Sequence, residues 1–138
     1  MGVSSTLLDA SALVGFLNAN ETRHHACVEA VRSHRGALLT TEAVLTEAMY
    51  LLRGRQGGPE GCLDFFIAGG ATIVPSSPAS LVHCKEIKGR YDDLPADFAD
   101  ATLVSLADDL RVYSILTLDR RGFSVYRGTR GESFEIRP

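Results

Sequence analysis

A chain of 138 residues, 45% hydrophobic and 22% charged, has the make-up of one soluble globular domain, residues 1–138, able to bury roughly two-thirds of its unfolded surface. Its apolar runs fall short of the ~20 residues a membrane-spanning helix requires. Cys27, Cys62 and Cys84 are odd in number and in no metal-ligand pattern, which argues against zinc and for reduced, buried thiols.

Strand and helix signals alternate along the chain, which predicts an α/β domain around a mainly parallel sheet. Ser5 to Leu8 reads as the first strand. Ser11 is placed to cap a helix over Ala12 to Asn18, and Thr22 a second running to about His34, ended by Gly36. Ala37 to Thr40 is the next strand, followed by a helix over about Glu42 to Leu52. Gly57-Gly58-Pro59 breaks the chain, with Pro59 starting a helix through Phe65-Phe66 to Gly69-Gly70. Ala71 to Pro75 is a short strand, and Ser77-Pro78 opens a helix to about Gly89. A further helix spans about Ala96 to Leu110, then a strand from Tyr113 to Leu118. Phe134-Glu135-Ile136 reads as a final edge strand. No repeat, low-complexity tract or linker divides the chain.

Four acids stand where a bland fold would not want a charge. Asp9 ends the run Thr6-Leu7-Leu8, and Asp119 ends Ile115-Leu116-Thr117-Leu118. In open α/β sheets, ligands bind beyond the carboxyl ends of the strands, where both residues fall. Glu47 shares a helix face with Val44, Ala48 and Leu51, and Asp100 with Leu103, Val104 and Ala107. Taken singly, each has an ordinary explanation. Asp9 and Asp119 suit turns or caps, and the stem of Glu47 can cover apolar surface with its head in water. Asp97, one turn before Asp100, suits a helix N-cap.

Together they ask for a cation, because a desolvated carboxylate costs several kcal/mol unless compensated. Two like charges at ~4 Å add about 4 kcal/mol at an effective dielectric of ~20. Oxygen ligands without His or Cys favour Mg²⁺ or Mn²⁺. The formal charge of −3 hides six acids and no Lys or Arg from Asp92 to Asp109, then five arginines against two glutamates from Arg120 to Arg137. An acidic cleft beside a basic tail suits an anionic polymer, although a solvated helix and a soluble loop explain the same charges.

At these residues the chain resembles the PIN-domain ribonucleases of the VapC type, toxins of type II toxin–antitoxin pairs. The resemblance is carried by Leu7-Leu8-Asp9-Ala10-Ser11-Ala12-Leu13, Thr41-Glu42-Ala43-Val44-Leu45-Thr46-Glu47-Ala48, Asp97-Phe98-Ala99-Asp100-Ala101 and Leu116-Thr117-Leu118-Asp119-Arg120-Arg121-Gly122-Phe123, in the family's order over nearly the whole chain. It implies a PIN-like three-layer α/β/α domain in which Asp9, Glu47, Asp100 and Asp119 hold one or two Mg²⁺ or Mn²⁺ ions and hydrolyse RNA phosphodiesters. Ser11 and Thr117 match small hydroxyl positions that orient the site in relatives, with a helix cap and a strand residue as equal alternatives. Asp97 ranks below the four, acting through a bound water. Arg120, Arg121, Arg127 and Arg130 are candidates for holding phosphates near Asp119. Tyr126 or Phe123 suits base stacking, with packing the better reading for both. The resemblance also implies a homodimer and a small antitoxin covering the active-site groove, with interfaces around Val44 to Leu52 and Leu63 to Ile67; core burial explains those residues equally well.

The competing readings are a catalytically silent PIN-like module that binds RNA or protein, and a phosphate-handling α/β domain. A haloacid-dehalogenase-like phosphatase wants a second aspartate where Ser11 stands. A response-regulator receiver wants a lysine at the end of a late strand, whereas Lys85 and Lys88 fall in a predicted helix. The N-terminal residues lead straight into Leu7-Leu8-Asp9 without the features of a signal peptide, so the cytoplasm is the expected location. The RNA target is not legible in these motifs.

Overall fold

All three residues of Thr6–Leu8 (β1) are buried. Successive side chains of a strand point to opposite faces, so both faces of the sheet are covered there. In the computed structural model, which describes residues 4–93 and 97–138, β1 is the middle of a five-stranded sheet. The other strands are Leu38–Thr40 (β2), Thr72–Ile73 (β3), Ser114–Leu116 (β4) and Glu135–Arg137 (β5). The order is β3-β2-β1-β4-β5 and every pairing is parallel, with Leu7 opposite Leu39 and Leu8 opposite Leu116.

Seven helices flank this sheet among the described residues: Ala10–Leu17 (α1), His24–Ser33 (α2), Glu42–Leu51 (α3), Gly58–Ile67 (α4), Pro78–Arg90 (α5), Phe98–Leu110 (α6) and Arg120–Phe123 (α7). Helix α6 is the hub. Every residue from Ala99 to Ala107 is buried, and the helix packs on both α5 and α3. Its small residues Ala99, Ala101, Ser105 and Ala107 permit that close approach. A helix buried on all sides makes Asp100 conspicuous. No described helix is long and apolar enough to cross a membrane. The three cysteines are free and buried.

Several boundaries differ from expectation. Helix α1 begins at Ala10, with Asp9 rather than Ser11 in the cap position, because the Ser11 hydroxyl is engaged elsewhere. Helix α2 begins at His24 after Arg23, without a side-chain cap from Thr22. It stops at Ser33, where His34 turns extended, so Gly36 (φ 109°) lies in the link beyond the helix. The expected start of α6 at Ala96 lies outside the described residues; the helix runs from Phe98 with Asp97 as its cap. Strands are shorter than expected because only the paired positions count, and the four-residue α7 was not anticipated.

Candidate metal centre

Strands β1 and β4 are neighbours at the point where the strand order reverses, with β2 and β3 on one side and β5 on the other. That switch point opens a crevice beyond the strand ends. Asp9 follows β1 and Asp119 lies three residues beyond β4. Asp9 is only 4% exposed. Its Oδ2 accepts from Ser11 Oγ at 2.9 Å and from Thr117 Oγ1 at 2.7 Å. The same hydroxyls accept backbone amides of the opposite strand end, Leu118 N on Ser11 and Asp119 N on Thr117, each at 2.9 Å. The two side chains therefore fix the Asp9 carboxylate relative to the Asp119 backbone. Asp119 Oδ1 accepts from Gly122 N at 3.1 Å, capping α7.

Asp100 sits in the first turn of α6, 8% exposed. Its amide donates to Asp97 Oδ1 at 2.8 Å, and its Oδ2 accepts from the Tyr126 hydroxyl at 2.9 Å. Glu47 lies half-buried on α3 between the buried Val44 and Ala48. Helices α3 and α6 are joined by Thr41 Oγ1 and Thr102 Oγ1, 2.8 Å apart. Thr102 donates its proton to Ala99 O, so Thr41 is the donor of that pair.

Electrostatics tie the acids together. Burial raises the Asp9 carboxyl above its ordinary range, against the hydroxyls of Thr117 and Ser11, and the charge of Asp119 adds to the rise. Asp100 is pushed up to about 8, first by burial, then by the charges of Asp9 and Asp97, with the Tyr126 hydrogen bond opposing. Glu47 is pushed up to about 7, by burial and then by Asp97, Asp9 and Asp119. The ion pairs His83–Asp108, Arg111–Glu132 and Arg137–Glu135 lie elsewhere.

Among the described residues no three carboxylate, imidazole or thiol groups converge closely enough to grip an ion as they stand. Charge and donor type, rather than a closed coordination shell, suit a divalent cation here. Burial and then the charges of Asp9, Asp97 and Asp119 raise the proton affinity of Glu47 and Asp100, and all the donors are oxygen, as Mg²⁺ or Mn²⁺ prefers.

The remaining predicted residues divide. Ser11 and Thr117 sit directly on Asp9, and Asp97 is a helix cap whose charge acts on Glu47 and Asp100. Arg120 and Arg121 are exposed on α7 beside Asp119, with Arg120 Nη2 donating to Pro138 O. Arg127 turns its guanidinium onto the carbonyls of Ser124 and Tyr126. Arg130 lies in the turn from Gly128 to Glu132, whose Gly128 and Thr129 sit on Asp108 and Tyr113 near the amino end of β4, away from the switch point. Sequence reasoning missed the Tyr126–Asp100 contact and the Thr41–Thr102 link. A buried tyrosine must place its hydroxyl on some acceptor, but nothing in the sequence says which.

The chain matches the PIN domain family over residues 6–128. Ribonuclease VapC26 of Mycobacterium tuberculosis is 36% identical over 134 residues, spanning 96% of this chain and 99% of that protein. Among solved structures, VapC20 of Mycobacterium tuberculosis, a sarcin–ricin loop cleaving toxin, matches with a TM-score of 0.82 at 19% identity, covering 98% of this chain and all of that one. VapBC2 of Rickettsia felis, bound to a DNA fragment from its promoter, matches at 0.66 and 16% identity, covering 97% and 99%. At those identities the structural likeness establishes the fold.

Proposed function

We propose, from the premise that this chain belongs to the PIN-domain family and is a VapC-type ribonuclease toxin of a toxin–antitoxin system, that Asp9, Glu47, Asp100 and Asp119 hold one or two Mg²⁺ or Mn²⁺ ions and hydrolyse RNA there. The observation that supports this site best is the raising of both Glu47 and Asp100 by burial and by the same three charges, Asp9, Asp97 and Asp119, at the sheet's switch point. When bound, the cation supplies a Lewis acid that activates water and offsets charge on the scissile phosphate. Ser11 and Thr117 hold Asp9 in one orientation, so its carboxylate is set before substrate arrives. One carboxylate of the set accepts the proton of the attacking water. Arg121 and Arg120, exposed beside Asp119, receive the phosphates, Arg120 by exchanging its one bond to the Pro138 carbonyl; Arg127 is held by two backbone carbonyls and Arg130 is set apart. Unneutralised, the acids repel RNA, so cutting requires the metal.

The VapBC likenesses support a small cognate antitoxin as the protein partner, and the family resemblance supports a homodimer. The test is cleavage of a mixed structured RNA pool with Mg²⁺ or Mn²⁺, beside EDTA and Asp100→Asn arms. The expected result is metal-dependent cutting that leaves 5′-phosphate ends and falls about a hundredfold or more in the variant. Cutting that survives both EDTA and the substitution refutes this site.

A further inference from the structure

The segment after Asp119 contributes more than arginines. Gly122 donates its amide to Asp119 Oδ1, and its carbonyl accepts the amide of Tyr126 at 3.0 Å. Tyr126 is 2% exposed, its ring packed edge-on against Phe123 and Tyr91 with centroids 5.1 Å away in each case. Its hydroxyl donates to Asp100 Oδ2 on a different element, α6. A side chain at Gly122 would put its Cβ 2.9 Å from Asp119 Oδ2 and 3.1 Å from the Tyr126 hydroxyl. One tight turn thus carries an acid at its start and a rigid donor to a second acid at its end.

We propose that Tyr126 is a positioning residue of the hydrolytic site, a brace that, through its hydroxyl on Asp100 and its turn with Gly122 against Asp119, sets these two carboxylates relative to each other. A phenol packed between two aromatic rings gives its acceptor one direction, and pinning Oδ2 orients the whole Asp100 carboxylate. Partners that orient a metal-holding carboxylate are worth about 10–100-fold in metal affinity or activity. The proposal rests on the reading of Asp100 as a metal-holding residue.

Tyr126→Phe removes the hydroxyl and keeps the ring. Mn²⁺ binding by calorimetry, the Mn²⁺ concentration giving half-maximal RNA cutting, and the unfolding midpoint in EDTA are read for wild type, Tyr126→Phe, Gly122→Ala and Asp100→Asn. Tyr126→Phe is expected to bind Mn²⁺ at least about tenfold more weakly and to shift half-maximal cutting by the same factor. Saturating Mn²⁺ restores most of the cutting. Gly122→Ala, whose Cβ presses on both Asp119 Oδ2 and the Tyr126 hydroxyl, disturbs the same turn from its other side and moves binding the same way. A lower midpoint with unchanged Mn²⁺ dependence in both variants makes Tyr126 a packing residue and overturns the proposal. If Asp100→Asn binds Mn²⁺ as wild type does, the metal reading of Asp100 itself fails and the brace with it.

Discussion

A carboxylate on a core stripe, such as Glu47 between Val44 and Ala48, keeps its proton for two reasons: water has been withdrawn from it, and other acids face it. Glu47 is raised from 4.5 to about 7, and Asp100 from 3.8 to about 8. Below their unfolded values both groups are protonated in either state, and neither costs stability. As pH rises, the unfolded chain releases these protons while the folded one retains them. Stability therefore falls progressively from the unfolded to the folded values and levels off above them, where the contribution of these two groups is lost. Asp108, held below its ordinary value by Tyr113, Thr129 and His83, acts only under about pH 4, outside this window. The raised thiols of Cys27, Cys62 and Cys84 act only above 9. In EDTA, the unfolding midpoint is expected to drop between about pH 5 and pH 8.5. Mn²⁺ should flatten that slope by replacing the protons, with measurable proton release on binding at pH 7. Burial raises Asp9 in the same direction, so a midpoint that rises or stays level across this range in EDTA would contradict the assignment of all three acids.

At the scale of elements, the amino ends of α3 and α6 meet through Thr41 and Thr102 and leave an open groove of about 590 Å³ beside Glu47. Exposed Tyr50 and Phe98 line it, together with Glu42 and Asp97. An acidic rim disfavours phosphates, whereas an aromatic wall accepts an unstacked base, worth about 1–3 kcal/mol per base. Phe98→Ala is therefore expected to raise KM for RNA several-fold with kcat and the unfolding midpoint nearly unchanged. Steady-state kinetics on one cleaved oligonucleotide decides it, and an unchanged KM removes Phe98 from the substrate path. Much of this level was legible in the sequence. Apolar runs ending in Asp9 and Asp119 located the strand ends, and the i, i+3, i+4 pattern placed Glu47 and Asp100 on inward faces. Three things were not: the true cap of α1, the helical turn at Arg120, and the acceptor of Tyr126. The first and last are decided by tertiary neighbours, as when Thr117 and Leu118 draw the Ser11 side chain to their strand end, whereas the turn at Arg120 is too short for a helical period to show and is held by the local Asp119 cap. Local propensity carries no record of such contacts.

For the whole molecule, α3 does two kinds of work. Its inner face buries Val44 and Ala48 and carries Glu47, while Leu51 at its carboxyl end is exposed although the helical spacing put it on that face. Leu63 and Ile67 of the adjoining α4 are exposed as well, Ile67 by 81%. Large apolar side chains grouped on two contacting helices mark an interaction surface. A stable homodimer needs about 800 Å² from each partner. The core accounts for Val44, Ala48 and Leu52, so among the residues first considered for an interface only the outward ones qualify. Sedimentation at micromolar concentration is expected to show a dimer, and Leu51→Glu with Ile67→Glu should shift it to monomer without lowering the unfolding midpoint of the separated chain. Since Asp9, Glu47, Asp100 and Asp119 all come from one chain, that monomer should still bind Mn²⁺ as the dimer does. A wild type that sediments as a monomer, or a double variant that stays dimeric, would exclude this face. A monomer that lost Mn²⁺ binding would mean that α3 needs its partner to hold Glu47 in place, coupling assembly to catalysis through a single helix.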